Sequence, residues 1–257
     1  MTQPAIVMPM NDPDGTMFAH LEKLTPLLKT IFVKALVGIP ATTYHRQPDY
    51  MAWLEAEPFF DVFRLNTDPP VGEYFAALYR YAAQKSAPDL LLHLCFIDRL
   101  AFALETDYRE QMTEDIRSLT VGDMPLVFAR TEKAWETHPS NYREIEDMIT
   151  RTGEMVFGKT LDYAWCHLVA TAEQLDAAMG SIDNPSMSML AEIVLGLRDT
   201  MQCKAVDWLA WEDPFILSVD AEELKAQRES SQQETLKRLS YALPMMELIY
   251  KAAKAQK

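Results

Sequence analysis

The feature that most constrains this chain is the run Leu90 to Ile97, apolar throughout except for His93 and followed at once by Asp98-Arg99. A strand of that composition is buried on both faces, which is the position of a central strand in a parallel sheet covered by helices. The segments around it alternate in the same sense. Ala5 to Met8, Lys34 to Ile39, Phe59 to Leu65 and Pro125 to Ala129 read as short strands, and Val206 to Trp211 as a last one. Between them, Phe18, Leu21, Leu24, Leu28 and Ile31 recur at helical spacing, with Pro26 expected to kink or split the helix. Val71, Tyr74, Phe75, Leu78, Tyr79 and Ala82 mark a second helix, opened by Asp68 as an acidic N-cap before Pro69-Pro70. Helices are also expected over roughly 100–119, from near Ser140, after Thr171 with its capping-box Gln174, and from Ser186 through Leu197. Leu161 to Val169 reads as strand or irregular chain. The expectation is an α/β fold, a mostly parallel central sheet with helices on both faces, joined by right-handed crossovers. The apolar first strand should be central rather than at an edge.

Composition removes several function classes. Twenty-four Lys+Arg against 38 Asp+Glu give a formal charge of -14, a field that repels polyanions, so no nucleic-acid partner is expected. Eight glycines, none within four residues of another, cannot form the Gly-rich cradle of dinucleotide or P-loop sites. Three scattered cysteines, Cys95, Cys166 and Cys203, fit neither a disulfide framework nor a zinc site and point to a reducing compartment. With no stretch of 18 apolar residues and no leader pattern at Met1 to Met10, a cytoplasmic protein without a membrane span is expected. His93 is read as a hydrogen-bonded core histidine, Trp208 and Trp211 as core with stacking on a sugar as the rival reading, and the fifteen methionines as core filler.

Ligands of open sheets sit at the carboxyl ends of the strands. That draws attention to the turn Pro9-Met10-Asn11-Asp12-Pro13-Asp14-Gly15, whose residues Pro9, Asn11, Asp12 and Asp14 stand where an anion or a nucleotide base would lie. It also draws attention to Asp98, which can meet a hard cation or a sugar hydroxyl, to Arg99 and Arg130, and to Glu212 with Asp213.

The first strand closing on Val7-Met8-Pro9-Met10-Asn11, the apolar fourth strand ending in an acidic residue, and the segments Phe128 to Pro139 and Phe157 to Asp162 resemble the glycosyltransferase-A fold of nucleotide-diphospho-sugar transferases, and bacterial members of that superfamily in particular. The likeness spans roughly residues 4–213. It implies a nucleotide-sugar donor and a sugar transferred to an acceptor, with a catalytically degenerate nucleotide-binding protein of the same fold as the alternative. In that superfamily an Asp-x-Asp motif holds a divalent metal, Mn or Mg, against the donor diphosphate. The triplet here is Phe96-Ile97-Asp98, so Asp98 alone carries over, as metal ligand and catalytic group. The resemblance further implies donor contacts by Pro9, Asn11, Asp12, Asp14, Arg99, Arg130 and Asp162, and an acidic catalytic base for which Glu192 is the candidate.

Two regions are expected: residues 1–219 as the nucleotide-diphospho-sugar-transferase-like domain, and 220–257 as a helical extension outside its core. The extension carries an apolar stripe, Leu236, Leu239, Leu243, Met246 and Ile249, before and after an interruption at Pro244. Docking on its own domain and a homodimer contact are the two ways to cover that stripe.

Overall fold

The computed structural model describes residues 3–183 and 185–255. Seven strands form one sheet: β1 (Ala5–Pro9), β2 (Ala35–Ile39), β3 (Phe60–Arg64), β4 (Leu91–Cys95), β5 (Leu126–Arg130), β6 (His167–Thr171) and β7 (Gln202–Val206), in the spatial order β3-β2-β1-β4-β6-β5-β7. All neighbours are parallel except at β6, which runs against both β4 and β5. Among the described residues thirteen α-helices surround the sheet. In the first half these are α1 (Thr16–Ile31), α2 (Ala41–Arg46), α3 (Pro48–Ala56), α4 (Val71–Lys85), α5 (Ile97–Glu105) and α6 (Arg109–Arg117). The second half adds α7 (Glu132–Thr137), α8 (Ser140–Phe157), α9 (Ala172–Met179), α10 (Met189–Leu197), α11 (Asp213–Leu217), α12 (Ala221–Ser230) and α13 (Gln232–Lys254).

The alternation of side chains along β1 shows why this is a covered sheet. Ala5 and Val7 enter one core, with α4, α8, α9, α10 and α13, while Ile6 and Met8 enter another, with α1, α3, α5 and α6. All four side chains are fully buried, and β1 lies between β2 and β4, the central position that its two-sided apolar pattern requires. The exit of β1 is held by Tyr74 of α4. Its hydroxyl donates to the Gly38 carbonyl (2.6 Å) and accepts from the Met10 N–H (2.5 Å), and burial raises its pKa above the ordinary value. Gly38 is what lets the ring approach: a Cβ there would stand 3.0 Å from Leu78 and 3.2 Å from Tyr74.

Several local expectations are corrected. The apolar run at the fourth strand is two elements, because after Cys95 the chain turns at Phe96 and Ile97, Leu100, Ala101 and Leu104 form the buried stripe of α5. Asp98 therefore lies in the first turn of a helix, not on a strand tip. Pro26 does not split α1, and Pro244 does not interrupt α13. In both cases the proline and the residue four positions earlier, Glu22 or Ser240, are exposed, so water can satisfy the carbonyl that loses its helical partner. Asp68 does not cap α4; its carboxylate accepts from the Thr42 N–H (2.9 Å) and hydroxyl (2.6 Å). The last strand is the polar Gln202–Val206, an edge strand with an exposed face, and the apolar Trp208 that follows belongs to a 3-10 turn packed on Phe128 and His167. His93, by contrast, is the hydrogen-bonded core histidine expected, buried and sharing a hydrogen bond with His167 across β4 and β6 (2.8 Å). Finally, α13 packs along α8 and against α10, and its Ala242, Met245 and Ile249 are buried in the same core as Val7 and Leu94.

The Tyr74 hydroxyl ties β1 to β2 at the strand ends. Tyr74→Phe should lower stability by about 1–2 kcal/mol, the value of one or two buried hydrogen bonds, at an unchanged slope in urea unfolding. An unchanged midpoint would show that the hydroxyl contributes nothing.

Candidate functional site

Two hollows meet at the carboxyl end of β4. The first is an open cleft of about 560 Å³ over the ends of β1 and β4, walled by Pro9, Asn11, Tyr74, Phe75, Phe96 and Asp98, with Ile216 and Leu217 of α11 at its rim. Its floor is formed by the beginnings of three helices: Thr16 and Met17 of α1, Val71 of α4, and Ile97 with Asp98 of α5. Helix N-termini carry unpaired N–H groups and the positive end of the helix dipole, so their convergence favours an anion.

The Asn11 side-chain oxygen accepts from the Thr43 hydroxyl (3.1 Å), and that hydroxyl accepts from the Asp12 N–H (3.0 Å). Asp12 itself is 6% exposed and turned inward, its carboxylate accepting from the Phe18 N–H (2.9 Å) in the first turn of α1. Gly15, at φ 81°, makes the left-handed step into that helix. Asp14 is on the surface, paired with Arg46 at 3.1 Å. The sequence-selected residues Pro9, Asn11 and Asp98 thus share one cleft, while Asp12 supports it from behind and Asp14 lies outside.

The second hollow, a cavity of about 160 Å³, shares only Phe96 and Asp98 with the first and extends from them toward α8, α10 and α13. Trp165, buried with its indole N–H donating to the Leu190 carbonyl (3.0 Å), stands in its wall. Arg99, Arg130 and Arg238 reach its edge, and each already has a carboxylate. Arg99 is paired with Glu212, both nearly buried. Arg130 pairs with Glu146 (3.0 Å) and Asp162 (3.8 Å), donates to the Cys166 sulfur (3.2 Å), and lies over the Trp135 ring at 4.5 Å. Burial works against its charge, but Glu146, Cys166 and Asp162 hold its pKa above the ordinary value. Arg238 pairs with the other oxygen of Glu146 (3.1 Å) and lies 3.6 Å over Tyr142. Asp98, by contrast, has no cation within ion-pair distance among the described residues; one of its oxygens accepts from the Arg99 N–H (2.8 Å).

The remaining sequence candidates fall elsewhere. Asp162 lies behind Arg130, in a separate surface hollow with Glu154 and Cys203, and burial raises its pKa to about 6 despite the nearby Arg130. Glu192 lies on α10 outside both hollows, with its pKa raised by burial and by Asp183. Sequence reasoning missed Trp165, Glu146, Arg238 and Tyr241, whose roles depend on which helices the antiparallel β6 brings alongside. Periodicity carries no such information.

The residues do not fit a metal held by the protein. Asp98 is the one acid on the wall of the open cleft, and no group of three potential His, Cys, Asp or Glu ligands occurs among the described residues. The acids nearest it in the second cavity's network, Glu146 and Glu212, are committed to arginines.

No protein-family model matches the chain, and no curated protein matches it significantly. Among solved structures it is similar to glucosyl-3-phosphoglycerate synthase from Mycobacterium tuberculosis in complex with Mn2+, uridine diphosphate and phosphoglyceric acid, with a TM-score of 0.49 and 12% identity over 95% of this chain and 78% of that one. It is also similar to a mycobacterial protein, with a TM-score of 0.47 and 14% identity over 81% of this chain and 66% of that one. At such identities and TM-scores the likeness assigns no residue of this chain a role. No helix among the described residues is long and apolar enough to cross a membrane.

The raised pKa of Asp162 has a consequence for stability. In the unfolded chain the carboxyl ionises near its ordinary value of 3.8, and in the fold near 6, so the fold binds the extra proton between those values and loses stability as pH rises through them. The penalty at neutral pH is of the order of 2–3 kcal/mol. Asp162→Asn, which keeps an oxygen for the Ala164 N–H, should match the parent most closely near pH 4 and gain on it as pH rises to 8. A difference in melting temperature that does not change with pH would contradict this.

Proposed function

We propose that this protein binds a nucleotide-diphosphate sugar in the open cleft and transfers the sugar to an acceptor lodged in the adjoining cavity. One observation carries the reading: two hollows of different character meet at a single carboxylate that has no ion-pair partner. The open one, at the strand ends and over three helix N-termini, suits the diphosphate of a donor. Pro9 and Asn11 then flank the nucleoside. The enclosed one suits an acceptor, with Asp98 at the junction.

In this reading Asp98 accepts the proton of the acceptor hydroxyl as that oxygen attacks the anomeric carbon. The three helix ends hold the leaving diphosphate without needing to reorganise as its charge develops. Arg99 and Arg130 act as positioning residues, because their carboxylate partners already neutralise them; they fix the first turn of α5 and the end of β5 beside the junction. No step is assigned to a metal ion: the cleft wall offers it Asp98 alone, and its other ligands would have to come from the donor diphosphate and water.

A second reading, a nucleotide-binding protein that no longer transfers, draws on Phe96, which stands where the transferases that the sequence resembles carry the first acid of their Asp-x-Asp motif. Calorimetric titration with UDP, GDP and ADP, with manganese and with EDTA, followed by turnover assays with the corresponding sugar donors, separates the two. We expect one diphosphate to bind under both conditions, with affinities within about tenfold, or about 1.4 kcal/mol. Asp98→Asn should keep that binding and lose turnover by roughly 100-fold or more. Binding without turnover in the parent protein supports the second reading, and no binding of any diphosphate overturns both.

A further inference from the structure

The enclosed cavity has a chemistry of its own. Its walls are Ile145 and Ile149 of α8, Leu190 of α10, and Ala242 and Met245 of α13, with the faces of Phe96 and Trp165 completing it. Most of these side chains are fully buried or nearly so. Its volume of about 160 Å³ is enough for a single six-membered ring, since a protein cavity of ~150 Å³ admits benzene. The polar groups of the wall are Asp98, Glu146, the three arginines and Tyr241.

Those arginines do not make the cavity an anion site. Arg99 is paired with Glu212, Arg130 with Glu146 and Asp162, and Arg238 with the second oxygen of Glu146, although the Nε of Arg130 and of Arg238 has no hydrogen-bond partner among the described residues. The wall itself carries three arginines and two carboxylates, but with the partners Glu212 and Asp162 behind it four carboxylates face three guanidinium groups, so a phosphate or carboxylate entering here would meet Asp98 with every guanidinium already paired. A neutral ligand faces no such cost. Its apolar part replaces an empty volume lined by aliphatic and aromatic carbon, and its hydroxyl faces the one free carboxylate.

We propose that this cavity is the acceptor subsite and that it takes a neutral alcohol or phenol carrying an aromatic ring, or a branched aliphatic group of similar size, next to its hydroxyl. The proposal rests on the transferase reading above. In the transfer, the acceptor oxygen forms a bond to the anomeric carbon while the bond from that carbon to the donor diphosphate breaks. The hydroxyl proton passes to Asp98, and the diphosphate leaves with the bonding electron pair. Arg238 acts as a positioning residue: through Glu146 it ties α13 to Arg130 at the end of β5, which keeps the apolar wall of α13 closed over the cavity.

The test uses the full chain and two probes of equal size, benzyl alcohol and benzoate, with UDP binding measured in parallel. Benzyl alcohol should bind in a saturable way, and benzoate at least about tenfold more weakly. Ala242→Phe, which fills the cavity from α13, should abolish benzyl alcohol binding and leave UDP binding unchanged. Should that variant not fold, Met245→Ala enlarges the same wall and should shift preference toward 2-naphthol over benzyl alcohol. Benzoate binding as tightly as benzyl alcohol, no binding of either, or benzyl alcohol binding unaffected by both substitutions would overturn the proposal. Loss of UDP binding alone would overturn the nucleotide reading and not the character of the cavity.

Discussion

The pairing of β4 is the constraint on which the rest depends. On one side it lies parallel to β1, on the other antiparallel to β6, with Cys95 beside His167. Because β6 is reversed, the beginning of that strand, and not its end, stands next to the carboxyl end of β4. The approach Ala164-Trp165-Cys166 is thereby carried to the same edge of the sheet as Pro9, Asn11 and Asp98. An all-parallel sheet would place that approach at the opposite edge, and there would be one cleft instead of two hollows. The full burial of Leu91, Leu92 and Leu94 holds the arrangement, and the His93–His167 contact lies within it.

Around this edge the charges do structural work. Glu146 accepts from Arg130 with one oxygen and Arg238 with the other, joining α8, β5 and α13 through a single carboxylate. Removing it would leave two largely desolvated guanidinium groups without that partner, a costly defect of the kind worth about 3–5 kcal/mol. The pairings also decide what the site can bind. Cations that look available in the sequence are already neutralised in the fold, which leaves helix ends as the source of positive potential in the open cleft and an apolar wall in the closed one.

How much of this the sequence revealed follows from what kind of information each feature needs. Six of the seven strands lie in or close to segments read from local apolar pattern; in five of them burial on both faces leaves a signature within five residues, and β3, which is only partly buried, was legible from Phe60, Val62 and Phe63. Gln202–Val206 left none, since an edge strand with an exposed face can be polar, and the apolar Trp208 drew the reading a few residues too far. The run through Ile97 hid a strand-to-helix junction because β4 and the inward stripe of α5 are apolar for different reasons. Pro9, Asn11 and Asp98 were legible as site residues from the rule that ligands gather at strand ends. The inward turn of Asp12, the arginine–carboxylate pairings and the part of α13 in the cavity wall were not. The arginine–carboxylate pairings join residues 16 to 113 positions apart, and Asp12 turns toward groups 6 and 31 positions on, contacts that no apolar periodicity encodes.

The central claim, that a nucleotide-diphosphate donor occupies the cleft at the ends of β1 and β4, is tested most directly by amide hydrogen exchange with and without the diphosphate that binds. The account predicts slowed exchange in residues 9–17 and 96–98, with the first turn of α4 included, and little change at the distant surface hollow of Phe157, Lys159 and Arg198. Protection confined to that distant hollow, with residues 9–17 and 96–98 unaffected at saturation, would contradict it.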